Sequence, residues 1–337
     1  MRPLTSLPKA ELHVHLEGSV RAQTLRELAA RDGLPLPSAL GDDDRWRFAG
    51  PAGFIESFML LCSLFTRLDD LRRVAVEFCE DLSATGVRYA EAVFSPGNHA
   101  RRFDWFSPIE AVLDGLEAGR RAHDITVRLC PDIVRDMGVD DAERALEVAL
   151  RFAGDGVVAL NAAGSEQTGI EPFDDCFRRA RAAGLGVVPH AGEWAGPENV
   201  WATISHYRPD RIGHGVRAIE DPALVAELAR TRIPLEICPL SNVATGVYPD
   251  LAAHPFAALR DAGVVVTLNS DDPALFGSWL SDVYTAARGV WRLTDDDLAE
   301  LAKTAIRASF ADETVKTSLA RDIEGWLVTD TEAPAIP

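Results

Sequence analysis

Short β-rich runs alternate with longer helical patterns through most of this 337-residue chain, and that alternation restricts the fold more than any other feature. Strands read at 11–16, 87–94, 125–134 and 157–164, then at 185–193, 211–216, 235–243 and 264–272. Between them lie amphipathic stretches such as DDAERALEVALRFAG and DPALVAELARTR, which open on Asp and carry apolar residues at helical spacing. Strand and helix repeated in this way specify a parallel α/β fold. An open doubly wound sheet usually follows its first strand with a Gly-rich phosphate turn, and none is present. Polar and ionisable residues instead crowd the C-terminal ends of strands one, four, five, six, seven and eight. That distribution suits the rim of a (β/α)8 TIM barrel, where all the strand ends converge.

A chain of this length could hold two domains, but barrels often use it for one. No repeat, linker or low-complexity tract breaks it, so 1–328 reads as a single barrel domain and 329–337 as a frayed tail. The segment from about 34 to 85 is too long for one crossover. It is expected to be a helical hairpin inserted after strand one, over the mouth, with Phe54, Ile55 and Phe58 on one apolar face. Extra C-terminal helices should follow strand eight and end near Trp326. With 34 basic and 52 acidic residues the net charge is −18, which argues against nucleic acid or an anionic membrane as partner. The first residues lack the apolar segment of a secretory signal, and the apolar run at 58–65 is too short to span a bilayer. The expected compartment is the cytoplasm. Five scattered cysteines with no CxxC pair give neither a disulfide framework nor a zinc cluster.

Four groups of residues carry chemistry. His13 and His15, at i and i+2 on strand one, point to the same side, into the barrel. Two neighbouring buried imidazoles are satisfied by a shared metal, or else by nearby carbonyls. PHAGE at 189–193 supplies His190 and Glu193, though it would also serve as a plain strand-to-loop turn. RIGHGV places His214 between two glycines, which permit close approach of a ligand or relieve crowding. TLNSDDPALFG brings Asp271 and Asp272; adjacent strand residues face opposite ways, so one would reach the metal and the other the rim. Asp272 before Pro273 is also a good helix cap. Three histidines and an aspartate suit one divalent ion with an open position, which makes hydroxide available near neutral pH. A two-metal barrel bridged by a carboxylated lysine is excluded, because no lysine lies between Lys9 and Lys303.

In order along the chain, LPKAELHVHLEGS, PHAGE, RIGHGVRAIEDP, CPLSN and TLNSDDPALFG resemble the adenosine deaminase family of the metal-dependent amidohydrolase superfamily. The resemblance implies that His13, His15, His190 and Asp271 bind one zinc ion per chain. It implies that Glu193 protonates the purine N1, that His214 orients or deprotonates the attacking water, and that Asp272 bonds N7. Gly164, in AAGSE, would offer its N–H to N3, and Phe54 and Phe58 would belong to an apolar lid. His15 and Glu17 would border the substrate. The implied reaction is deamination of a small 6-aminopurine, adenosine or 2′-deoxyadenosine first. Two departures bear on the sugar side. Glu17 stands where the adenosine enzymes carry aspartate, a change seen in relatives acting on adenine or on aminodeoxyfutalosine. Asn161-Ala162-Ala163-Gly164 replaces DLAG. A non-catalytic nucleoside-binding protein on the same scaffold is the reading from another class, as is an amidohydrolase cutting an amide or ester. The sequence does not specify an oligomeric state.

Overall fold

The eight strands form one parallel sheet in chain order in the computed structural model, which describes residues 1–328. They are β1 (Lys9–His15), β2 (Val87–Phe94), β3 (Thr126–Val134), β4 (Ala159–Ala163), β5 (Gly186–Ala191), β6 (Ile212–His214), β7 (Leu235–Ile237) and β8 (Val266–Leu268). A parallel bridge between Val14 and Asp271 joins the last strand back to the first. The result is a TIM barrel with helices between the strands, as the alternation required. The tail expected at 329–337 lies outside the described residues.

Strands six to eight are shorter than the sequence reading. The run at 235–243 is strand only to Ile237, because Pro239 has no N–H for a ladder and instead opens a short helix, Pro239–Ala244. The residues after Leu268 leave the strand too, and Asp271 takes φ +70°, outside the extended region. Asp271 and Asp272 therefore sit on a loop just past the strand, held by a rigid wall.

The insertion also differs from the expected hairpin. It holds α1 (Ala22–Asp32), α2 (Gly50–Ser63) and α3 (Leu68–Ala84). Helix α3 buries Leu71, Val74, Phe78 and Leu82 and packs on β2 and on the helix Ser107–His123, so it is the ordinary crossover helix of the outer ring. Only α2 lies over the mouth, bent by 118° from α3. Phe54 and Phe58, four residues apart, face inward, whereas Ile55 is 42% exposed. Ile55 is thus not on their face. Among the described residues no single helix is long and apolar enough to cross a membrane. After β8, helices Leu280–Val290, Asp295–Ala308 and Glu313–Val328 follow; Asp295–Ala308 packs on β1 and β8. The Trp326 indole donates to the Pro3 carbonyl at 3.3 Å, tying the last helix to the first residues.

Candidate active site

β1 delivers His13 and His15 to the barrel mouth, both buried. His13 Nδ1 lies 3.0 Å from Glu236 Oε2 on β7. Its Nε2 is buried without a hydrogen-bond partner, 3.4 Å from Asp271 Oδ1. His15 Nε2 is 3.3 Å from that same oxygen. His190, ending β5, turns Nδ1 to Asn161 Oδ1 at 2.9 Å. Each outward bond fixes a ring and leaves the other nitrogen facing the cluster. One nitrogen from each of His13, His15 and His190 fits within a 4.8 Å group. Three imidazoles, one of them with an orphaned Nε2, and a carboxylate oxygen are a donor set that fits a divalent cation.

Asp271 is held from two sides: its Oδ2 accepts from the Ser241 hydroxyl at 2.6 Å, and its backbone N–H donates to His13 O at 3.1 Å. Burial alone would raise its carboxyl, but the imidazoles of His13 and His15 outweigh that and keep it ionised. Asp272 does not face away, contrary to the strand-alternation argument. Because Asp271 has left the extended conformation, both carboxylates meet His15 within a 4.8 Å group. Nor does Asp272 cap its helix. Its side chain makes no capping bond, and Oδ1 is buried without a partner. A Cβ on Gly18 would fall 1.7 Å from that oxygen, so glycine there makes room for the acid. Burial pushes the Asp272 carboxyl up to about 8 against the pull of His15.

Glu193 Oε2 lies 3.6 Å from His214 Nε2, and Asn242 Nδ2 donates to Glu193 Oε1 at 3.5 Å. Burial, with the negative charges of Asp271, Glu166 and Asp272 behind it, holds the Glu193 carboxyl well above its ordinary range. His214 is pushed down to about 3 by burial and stays neutral. The glycines around it relieve crowding. A Cβ at Gly213 would meet His13 at 2.8 Å, and one at Gly215 would meet Leu235 at 2.6 Å. Gly164, with φ +88°, follows β4, where a Cβ would lie 2.5 Å from Asp136 Oδ2.

Glu17 is fully buried. Its Oε1 accepts from the Ser95 N–H at 3.0 Å and lies 3.3 Å from His99 Nε2. Phe58 meets His15 edge-on at 6.4 Å, and Phe54 stacks on Phe276 at 5.2 Å, so the lid helix closes on the same side. One turn further along α2, a cavity of about 430 Å³ opens between the lid and α4 (Pro96–His99), lined in part by Met59, Cys62, Phe65, His99 and Phe103.

All eleven site residues singled out in the sequence lie at this mouth or on its lid. Several that hold them were not singled out. Glu166 accepts the N–H groups of Gly192 (3.2 Å), Glu193 (2.9 Å) and Ala195 (2.8 Å), and so shapes the loop that carries Glu193. Arg211 pairs with both Glu91 and Glu236 in the barrel interior, behind His13. Ser241 and Asn242 lie in the CPLSN motif, which marked the place without marking a role. Glu236 and Glu166 stood in quoted motifs or beside them, but their partners lie on other strands.

A sequence model of the adenosine deaminase family matches residues 8–326. An aminodeoxyfutalosine deaminase of Streptomyces avermitilis is 39% identical over 96% of this chain and 92% of its own length. The crystal structure of an adenine deaminase from Arthrobacter aurescens superposes with a TM-score of 0.88 at 29% identity, covering 95% of this chain and 99% of that one. An amidohydrolase from Burkholderia ambifaria, solved with bound Zn, gives 0.89 at 30%, over 96% and 92%. The chain shares their barrel, and it is a deaminase, a hydrolase acting on C–N bonds. With motif, geometry and relatives in agreement over nearly its whole length, the chain belongs to the adenosine deaminase family.

Proposed function

We propose that this protein hydrolytically deaminates the adenine ring of a 6-aminopurine, with one zinc ion per chain held by His13, His15, His190 and Asp271. The observation that carries the reading is the convergence of those four side chains with a buried, proton-retaining Glu193. When bound, a divalent ion supplies Lewis-acid activation of water at neutral pH. Glu193, kept protonated by its dry surroundings, gives a proton to the ring nitrogen N1. Neutral His214, 3.6 Å away, accepts the proton of the attacking water. Asp272 fixes the purine through N7 and the Gly164 N–H through N3. Ammonia leaves from C6. The α2 lid, through Phe54 and Phe58, shields the reacting centre from bulk water.

The sugar-side residues and the relatives favour a substrate other than adenosine. The sequence expectation put adenosine first, with aminodeoxyfutalosine and adenine behind it. A 39% identical relative bears the name aminodeoxyfutalosine deaminase, and Glu17 in place of aspartate supports an adenine carrying a substituent other than ribose. Aminodeoxyfutalosine is therefore the first substrate of this proposal, ahead of adenine and adenosine. Ammonia release by zinc-loaded protein, ranked by kcat/KM over the three, tests it. The expected order is aminodeoxyfutalosine highest; adenosine or adenine tenfold ahead would refute that choice. A zinc-loaded protein that releases ammonia from none of them would remove the deaminase reading itself.

A further inference from the structure

Asp132, on β3, plays no part in the chemistry above. It is 1% exposed, and neither carboxylate oxygen has a hydrogen-bond partner among the described residues. The sheet register fixes its direction. Asp132 pairs with Asn161 on β4, and laterally paired residues share a face. Asn161 sends its side chain inward to His190, so Asp132 also points into the barrel mouth. There it faces the His15 imidazole and the Glu17 carboxylate, with the Ser95 hydroxyl nearby.

Glu17 repeats the pattern. Its Oε1 is occupied by the Ser95 N–H and stands beside His99, while its Oε2 is buried and unpaired. Among the described residues three acceptor atoms thus lack a well-formed hydrogen bond: both oxygens of Asp132, which only the Ser95 hydroxyl approaches, and one of Glu17. Buried acceptors without donors are costly, and two acids that face each other add repulsion. Such an arrangement is explained when a ligand brings the donors. The proposed roles of Glu193, Asp272 and Gly164 use the ring edges of the purine, so the donors belong to its substituent. Several acceptors set close together match several hydroxyls on one small group, which satisfies them without burying another charge.

We propose that Asp132, beside the acid at position 17, determines specificity by accepting hydrogen bonds from a hydroxyl group of a sugar-like substituent on the purine. The substrate is then of nucleoside type and not the free base. This rests on the deaminase reading and narrows it.

The test compares zinc-loaded wild-type and Asp132→Asn proteins by ammonia release from aminodeoxyfutalosine, adenosine, 2′-deoxyadenosine, 3′-deoxyadenosine and adenine. The ratio of kcat/KM for the best nucleoside to that for adenine should fall about tenfold or more in the variant. In wild type, removal of at least one ring hydroxyl should itself cost about tenfold. That second comparison needs no variant, so it decides even where Asp132→Asn fails to fold. An unchanged ratio overturns the inference, and so does indifference of the wild-type protein to both hydroxyls. So does wild-type protein that prefers adenine, or a second zinc per chain that Asp132→Asn abolishes; each leaves the deaminase reading standing. Wild-type protein that deaminates no purine ends that reading and this inference with it.

Discussion

Glu236→Gln isolates the protein's hold on the metal site from the chemistry done there. Glu236 is fully buried on β7, with one oxygen 2.5 Å from Arg211 Nε and the other 3.0 Å from His13 Nδ1. The amide keeps the shape and one acceptor but removes the charge that polarises the His13 ring. A full charge pair at 3.0 Å with an effective dielectric of about 20 is worth about 5.5 kcal/mol. An imidazole bound to a cation carries only a fraction of that charge, and Arg211 already offsets part of Glu236. A loss of about 1.4–2.8 kcal/mol follows, which is a 10–100-fold weaker hold on zinc, the usual range for such outer partners. Competition with a chromophoric chelator measures it. At saturating zinc the variant should recover most of its kcat, because Glu236 does not touch substrate. Zinc affinity within threefold of wild type would refute the reasoning, as would a kcat that stays low when the site is full.

Four further outcomes are expected. Glu193→Gln should keep its zinc, measured by metal analysis, while turnover falls by about 10²-fold or more; a fully active, zinc-loaded variant removes its role as acid. Because the Glu193 carboxyl is raised, its proton is present below the elevated pKa and lost above it, so kcat/KM should fall along an alkaline limb. A profile still climbing from about pH 6 to 9 contradicts that sign. Glu166→Ala strips three N–H groups of their acceptor and should lower kcat/KM about tenfold by loosening the Glu193 loop, with zinc content kept. Gly164→Ala, at φ +88° and 2.5 Å from Asp136 Oδ2, should cost about 1–3 kcal/mol in urea unfolding; an unchanged midpoint would show that the turn relaxes freely.

What the sequence disclosed and what it hid have separate physical causes. The eight strands were legible because β-rich runs and helical spacing are local patterns, and HxH declared itself because two residues on one strand share a face. The ends of β7 and β8 were not, since apolar character continues past the point where Pro239 and the left-handed Asp271 stop the ladder. That same dihedral turned Asp272 toward His15, which period-two alternation forbids. Helix α3 was mistaken for half of a lid because amphipathicity shows that a helix packs but not what it packs on. Glu236 and Glu166 read as unremarkable polar residues, and Asn161 read as a sugar-side departure although its side chain holds His190. Each acts on a group at least 26 positions away, a distance that only the closed barrel brings to contact.

The bridge that joins the last strand to the first runs through the proposed metal ligands themselves: Asp271 N–H donates to His13 O at 3.1 Å, and His15 N–H donates to Asp271 O at 2.7 Å. The seam of the barrel and the metal site are therefore one mechanical object. An ion gripping His13, His15 and Asp271 acts as a clasp across the join that chain connectivity cannot make, because it links the two ends of the β1–β8 sequence. Metal stripped from such a clasp weakens the hoop as well as the catalyst, and the amide protons of His15 and Asp271 become its gauge, exchanging faster with solvent when the ion is gone.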